Sequence, residues 1–153
     1  MSADTNTPSS GKHPRSGRTQ PRRHGPAPGS SSGRNLRDVG AAGEDEAARY
    51  FVERGYRLLD RNFFTARGEV DIVLAGDAGG GGAGVIVFVE VKWRLDGRYG
   101  TGAEAVTPAK LAAMRHAGAE WLRRNPQFRA PTVRFDVLDI TAGEITHYEG
   151  VGW

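Results

Sequence analysis

The chain has 153 residues with 21 basic and 18 acidic side chains, a formal charge of +3 and no cysteine. That length suits one ordinary domain, and the missing thiols exclude a disulfide framework and thiolate zinc sites. No apolar run approaches the roughly 20 residues that span a bilayer, and the start lacks the apolar stretch of a secretory signal, so a cytoplasmic protein without membrane contact is expected.

Composition changes at about residue 35. Residues 1–35 are Pro, Gly, Ser and Arg with almost nothing apolar, and such a segment cannot bury enough surface to offset its ordering entropy. They read as a disordered basic tail, and 36–153 as the folded domain. The tail holds six of the basic residues and one of the acidic ones, which leaves the domain at about −2. The basic balance belongs to the tail, where it supports at most a weak, salt-sensitive affinity for polyanions.

In chain order, DVGAAGEDEAARYFVERGY predicts a helix from Asp38 to Arg54, with Asp38 as N-cap and Gly55 closing it. Glu44, Ala47, Ala48 and Phe51 recur at helical spacing on one face, and Asp45, Glu46, Arg49 and Glu53 fall opposite. YRLLDRNFF predicts a strand over 56–63 and GEVDIVLA another over 68–75; the four glycines of GDAGGGGAG join the latter to VIVFVEVKW, over 85–93. A strand follows those glycines where a phosphate cradle needs a helix N-terminus, so they read as a hairpin loop.

TPAKLAAMRHAGAEWLRRNP predicts a second helix, with Thr107 as N-cap, Pro108 in its first turn and Leu111, Met114, Gly118, Trp121 and Leu122 facing inward. TVRFDVLDI over 132–140 is a further strand, and EITHYEG a short last one. A strand–helix–strand crossover of this length favours a parallel pair, so the order α-β-β-β-α-β implies an α/β fold: a mixed sheet flanked by helices.

The chemistry lies in VIVFVEVKW. Val85, Val87, Val89 and Val91 give one unbroken packing face, while Ile86 and Phe88 lead on the other face to Glu90 and Lys92. Charges on so apolar a strand are costly unless paired or coordinated. On the preceding strand Val70, Ile72 and Leu74 share one face, and Glu69, Asp71 and Val73 the other. Hairpin pairing brings Asp71 near Glu90. The two carboxylates repel, and a divalent cation with a preference for carboxylate and carbonyl oxygens removes the conflict. Lys92 then sits where an ammonium can orient a water or offset charge on a phosphate. With 18 arginines and three lysines in the chain, a mere counter-ion would more often have been Arg, so a lysine here suggests a need for its compact charge.

Gly68-Glu69-Val70-Asp71 followed by Glu90-Val91-Lys92 resembles the D…ExK signature of restriction-endonuclease-like nucleases. Gly43-Glu44, Ala47-Ala48-Arg49, Gly55-Tyr56, Asn62-Phe63, Arg67-Gly68-Glu69, Gly100 to Val106 and Arg134-Phe135-Asp136-Val137 extend this to a resemblance to the YraN-like family of small bacterial proteins. The resemblance implies a restriction-endonuclease-like core similar to archaeal Holliday-junction resolvases. It also implies Mg²⁺ or Mn²⁺ held by Asp71, Glu90 and the Val91 carbonyl, with Lys92 assisting a water and Glu44 supporting the metal from the helix. Val70 stands where the signature has proline, a position resolvase-like members commonly leave without it. The partner implied is nucleic acid, DNA above all, and because related resolvases are dimeric a homodimer is implied too.

The expected activity is metal-dependent hydrolysis of phosphodiester bonds in branched or structured DNA. The alternatives are a nucleic-acid-binding protein with little or no catalysis, and an interaction protein whose buried charges are structural. Arg94 and Arg98 are candidates to flank a backbone-binding groove. Lys110 is a candidate phosphate contact that otherwise reads as a solvated lysine. Glu69 reads as an outer group, Asp136 as the partner of a nearby arginine, and Trp93 and Trp121 as core or rim.

Overall fold

The computed structural model describes residues 32–77, 84–96, 106–128 and 132–152, with side chains from residue 40 onward. The expectations for residues 1–31, for most of the glycine-rich loop, for Arg98 and for 100–105 fall outside this set. Seven elements follow in the order α1 (Ser32–Val52), β1 (Arg57–Thr65), β2 (Gly68–Gly76), β3 (Val85–Arg94), α2 (Pro108–Arg124), β4 (Thr132–Thr141) and β5 (Glu144–Tyr148). The strands make one sheet in the order β1-β2-β3-β4-β5. β3 pairs in parallel with β4, and the other neighbours are antiparallel. The mixed α/β architecture expected from the sequence is the one observed.

Alternation along the central strand builds two cores. Val85, Val87 and Val89 pack with Ile72, Leu74, Leu138 and Ile140 under Ala47, Ala48 and Phe51 of α1. Ile86 and Phe88 pack with Val73 and Phe135 under Met114, Ala117 and Trp121 of α2. Burying a side chain the size of Phe51 or Phe88 contributes about 1.5–3 kcal/mol relative to leaving it in water. Trp121 satisfies its indole N–H on Asp60 Oδ2 at 2.7 Å, which ties α2 to the outermost strand β1.

The helix ends follow their capping residues. Thr107 accepts the Lys110 amide at 3.2 Å, with Pro108 in the first turn of α2. α1 closes at Gly55, where the Gly55 amide bonds the Val52 carbonyl and the Tyr56 amide bonds that of Phe51. The start of α1 differs from expectation. The helix already runs from Ser32, so Asp38 lies inside it rather than capping it, and residues 32–35, assigned to the tail, are helical.

Strict alternation fails in β1 and β2. The β1–β2 register shifts between Leu58 and Asp60, and Asn62 has φ 53, the left-handed region that Asn enters more readily than most residues. Arg61 and Asn62 consequently both reach α1 residues, at Asp45 and Glu44. Opposite them, Val70 is buried with Val73 in the α2-side cluster, not with Ile72 and Leu74 as the sequence pattern suggests. The irregularity falls at Asp71.

Candidate active site

Two close approaches bring the helices to one end of the sheet. A β-carbon at Gly43 would lie 2.6 Å from the Trp93 ring, so only glycine lets α1 sit this close to the end of β3. A β-carbon at Gly68 would lie 2.2 Å from the Ala113 carbonyl oxygen, so glycine also seats the β1–β2 hairpin on α2. α1 thus carries Glu44, and α2 carries Lys110, to the C-terminal end of β3.

The β2–β3 ladder runs from Gly76↔Val85 to Ile72↔Val89 and stops there. One residue further the Asp71 carboxylate takes the place of the strand, and its Oδ2 accepts the Val91 amide at 2.7 Å. In an extended strand the amide and carbonyl of one residue point the same way, so the Val91 carbonyl faces this gap as well. Asp71, Glu90, Val91 and Lys92 line one cleft of about 380 Å³, together with Gly40, Glu44 and Trp93. The expected convergence of Asp71, Glu90, Lys92 and Glu44 is present in the fold.

The charges in the cleft are only partly balanced. Glu90, whose side chain is 5 % exposed, accepts from Lys92 Nζ at 2.6 Å through Oε1. Its Oε2 lies 3.0 Å from Lys110 Nζ, an ion pair outside hydrogen-bond alignment. Lys110 also donates to Glu69 Oε1 at 3.0 Å. Burial, followed by the charge of Glu90, pushes the Asp71 carboxyl up to about 7; the Val91 amide and Lys110 oppose the shift, and Glu44 adds to it. Burial alone would lower the pKa of Lys110, but Glu90 and Glu69 raise it. Glu44 Oε2 accepts from Asn62 Nδ2 at 2.7 Å and lies 3.8 Å from Arg61.

The donor set can be tested for a divalent cation. Asp71, Glu90 and the Val91 carbonyl are hard oxygen donors of the kind Mg²⁺ and Mn²⁺ prefer, and the repulsion that raises Asp71 is the kind a cation relieves. The residues therefore fit such an ion in chemistry and in charge. Among the described residues no three carboxylates or imidazoles form a ready-made ligand group, and the present counter-ions of Glu90 are the two ammoniums.

The reading of Lys110 as a solvated lysine is corrected: its side chain is 23 % exposed and bridges Glu69 and Glu90. Its helical position hid this, although the scarcity of lysine that singled out Lys92 applied equally to it. Arg94 lies at the end of β3, where its carbonyl accepts the Ala142 amide at 3.0 Å. Trp93 and Trp121 are packing residues, as expected. Asp139, next to Lys92 across the parallel pair, is a buried acid that the sequence reading passed over; it takes the Thr141 hydroxyl at 2.5 Å.

The fold and cleft define a small α/β domain with an acid- and lysine-lined notch at the open end of its central strand. The pattern of uncharacterised protein family UPF0102 matches residues 43–140, and the chain belongs to that family. This is the YraN-like family expected from the sequence. Similar proteins, each named as a UPF0102 protein, include one from Mycolicibacterium gilvum, 43 % identical over 74 % of this chain and 93 % of its own length. Others come from Rhodococcus opacus, 46 % identical over 69 % of this chain and 83 % of the relative, and Syntrophomonas wolfei, 42 % identical over 68 % and 84 %.

Proposed function

We propose that this protein is a divalent-metal-dependent nuclease acting on phosphodiester bonds of structured or branched DNA. The observation that carries the reading is the shared cleft of Asp71, Glu90, Val91 and Lys92, in which burial and the neighbouring acid leave Asp71 with a raised pKa. Asp71, Glu90 and the Val91 carbonyl would hold Mg²⁺ or Mn²⁺. When bound, the ion supplies Lewis-acid polarisation of a phosphoryl oxygen and a more acidic water. Lys92, held by Glu90 at the cleft, would place an ammonium where it can orient a water and offset charge on a phosphate. Glu44, oriented by Asn62, would accept a hydrogen bond from a water of the ion on the α1 side. Among the described residues no helix is long and apolar enough to cross a membrane.

The assay is incubation of the purified chain with labelled forks, junctions and duplexes, with and without Mg²⁺. Cleavage should require the metal and fall by at least about a hundredfold in Asp71→Asn and Lys92→Ala. Cleavage that persists in both variants would place the activity elsewhere.

The two lysines on Glu90 favour a second reading, a protein that binds nucleic acid with little catalysis. It predicts salt-dependent DNA affinity that is insensitive to Mg²⁺ and to Asp71→Asn.

A further inference from the structure

The tip of the β1–β2 hairpin lies at the same end of the sheet as the cleft, because β2 runs antiparallel to β3. Phe64 in this tip is 63 % exposed; among the described residues it is the aromatic that stands in water, the others being buried or half-buried. Leaving a phenyl ring in water forgoes the largest contribution such a side chain makes to folding. The β1 register pairs Phe64 with Glu69, and directly opposed residues in an antiparallel pair have neighbouring side chains. Glu69 is joined to Lys110 at 3.0 Å, and Lys110 to Glu90 at 3.0 Å. The exposed ring is therefore two ion-pair contacts from the cleft.

Arg67 stands at the turn of the same hairpin. It is exposed, and its guanidinium has no ion pair or hydrogen bond among the described residues; only its backbone amide is engaged, by the Thr65 hydroxyl at 3.2 Å. The hairpin is held in place by Gly68 against the Ala113 carbonyl. A tip that offers an exposed aromatic face and an exposed arginine suits a single-stranded nucleic acid. Bases stack on rings without regard to sequence, and guanidinium groups follow the backbone.

We infer that Phe64 is a stacking platform for an unpaired nucleobase adjacent to the phosphate bound in the cleft, with Arg67 on the neighbouring phosphate. The inference rests on the nuclease reading and deepens it: the substrate is a strand with at least one unstacked base beside the reacting bond, as at a fork or flap. A continuous duplex keeps its bases stacked on one another and gains nothing from the ring.

The test measures affinity of the full chain for a fluorescein-labelled single strand and for the matching blunt duplex. Wild type should bind the single strand about tenfold more tightly than Phe64→Ala, within the range of one base–aromatic stack. Phe64→Tyr should restore binding, Phe64→Leu should not, and duplex binding should be unchanged in all three. Arg67→Ala should weaken both probes and reduce the slope of log affinity against log salt by about one contact. Single-strand affinity equal to wild type in Phe64→Ala, or full rescue by leucine, overturns the stacking platform while leaving the cleft reading intact. A wild-type protein that neither binds nor cuts any probe overturns the cleft reading and the platform with it. Cleavage lost in Asp71→Asn but with the Phe64 contribution to binding unchanged supports both.

Discussion

Asp136 and Asp71 are two acids on one sheet, and their surroundings treat them in opposite ways. Asp136 in β4 is fully buried. Arg134 donates to it through Nε and an Nη atom, at 2.8 Å each, the Gly150 amide donates at 3.0 Å, and His147 Nε2 lies 2.8 Å away. Arg134 is braced in turn by the Tyr56 hydroxyl at 2.9 Å. Burial alone would raise the pKa of Asp136, but His147, Arg134 and the Gly150 amide bring it below the ordinary carboxylate range. Asp71 has one backbone donor and a facing acid, and its pKa moves the other way. A buried charge with every lone pair engaged belongs to the architecture. A charge left in partial conflict at an open cleft is the conflict that the proposed cation would relieve.

Three measurements can break or sharpen that contrast. The largest effect is expected at Asp136: Asp136→Ala removes the buried acceptor shared by Arg134, His147 and the Gly150 amide, leaves Arg134 with Tyr56 and Glu149, and should cost about 3–5 kcal/mol in urea denaturation. A loss within the range of a surface substitution would mean the cluster is not structural.

The next effect belongs to the cleft. Magnesium at about a hundred times its dissociation constant should stabilise the wild-type fold by about 2.7 kcal/mol, read as a higher melting temperature. The gain should vanish in Asp71→Asn and persist in a variant at Glu120, which pairs with Arg123 and Arg124 on the surface of α2.

The smallest effect is in the pH dependence. The folded pKa of Asp71, about 7, lies above its ordinary 3.8, so the native state holds the extra proton between those values. Stability from this group therefore falls as pH rises from about 4 to about 7, and the penalty is complete above 7. Asn at this position still accepts the Val91 amide and carries no charge. Asp71→Asn should then be more stable than wild type at about pH 8 and no different at about pH 4. Asp136 has the reverse sign: its contribution is fully present above the ordinary carboxylate pKa and is lost as pH falls through the lowered one. A destabilised Asp71→Asn at both pH values would make Asp71 a second Asp136.

The elements themselves were readable because they obey periodic rules. The apolar run 85–89 suggested a strand, Thr107-Pro108 announced a helix, and Gly55 ended one. The cleft was readable as three charges on adjacent strands. What escaped were departures from period: the left-handed Asn62, the shifted register near Leu59, and Val70 turning to the α2 side. Alternation describes regular pairing, and here the pairing is interrupted so that Asp71 can enter the gap beside Val91. Lys110 escaped for another reason. Its helical face gives no hint that the first turn of α2 ends over Glu90, since that depends on how closely Gly68 lets the hairpin approach. Phe64 lies just past the strand expected over 56–63 and drew no reading there; its exposure is a property of the tertiary fold alone.

The glycine that seats the hairpin has a bearing on affinity. Because Gly68 sits against main-chain atoms of α2, the turn that bears Phe64 and Arg67 is packed onto the helix before any ligand is bound. Groups held in advance lose less entropy on association than groups on a loose loop. In the proposed stacking role, contacts made by the two side chains would therefore count for more than their area suggests, and a bulkier residue at position 68 should weaken strand binding without touching either of them.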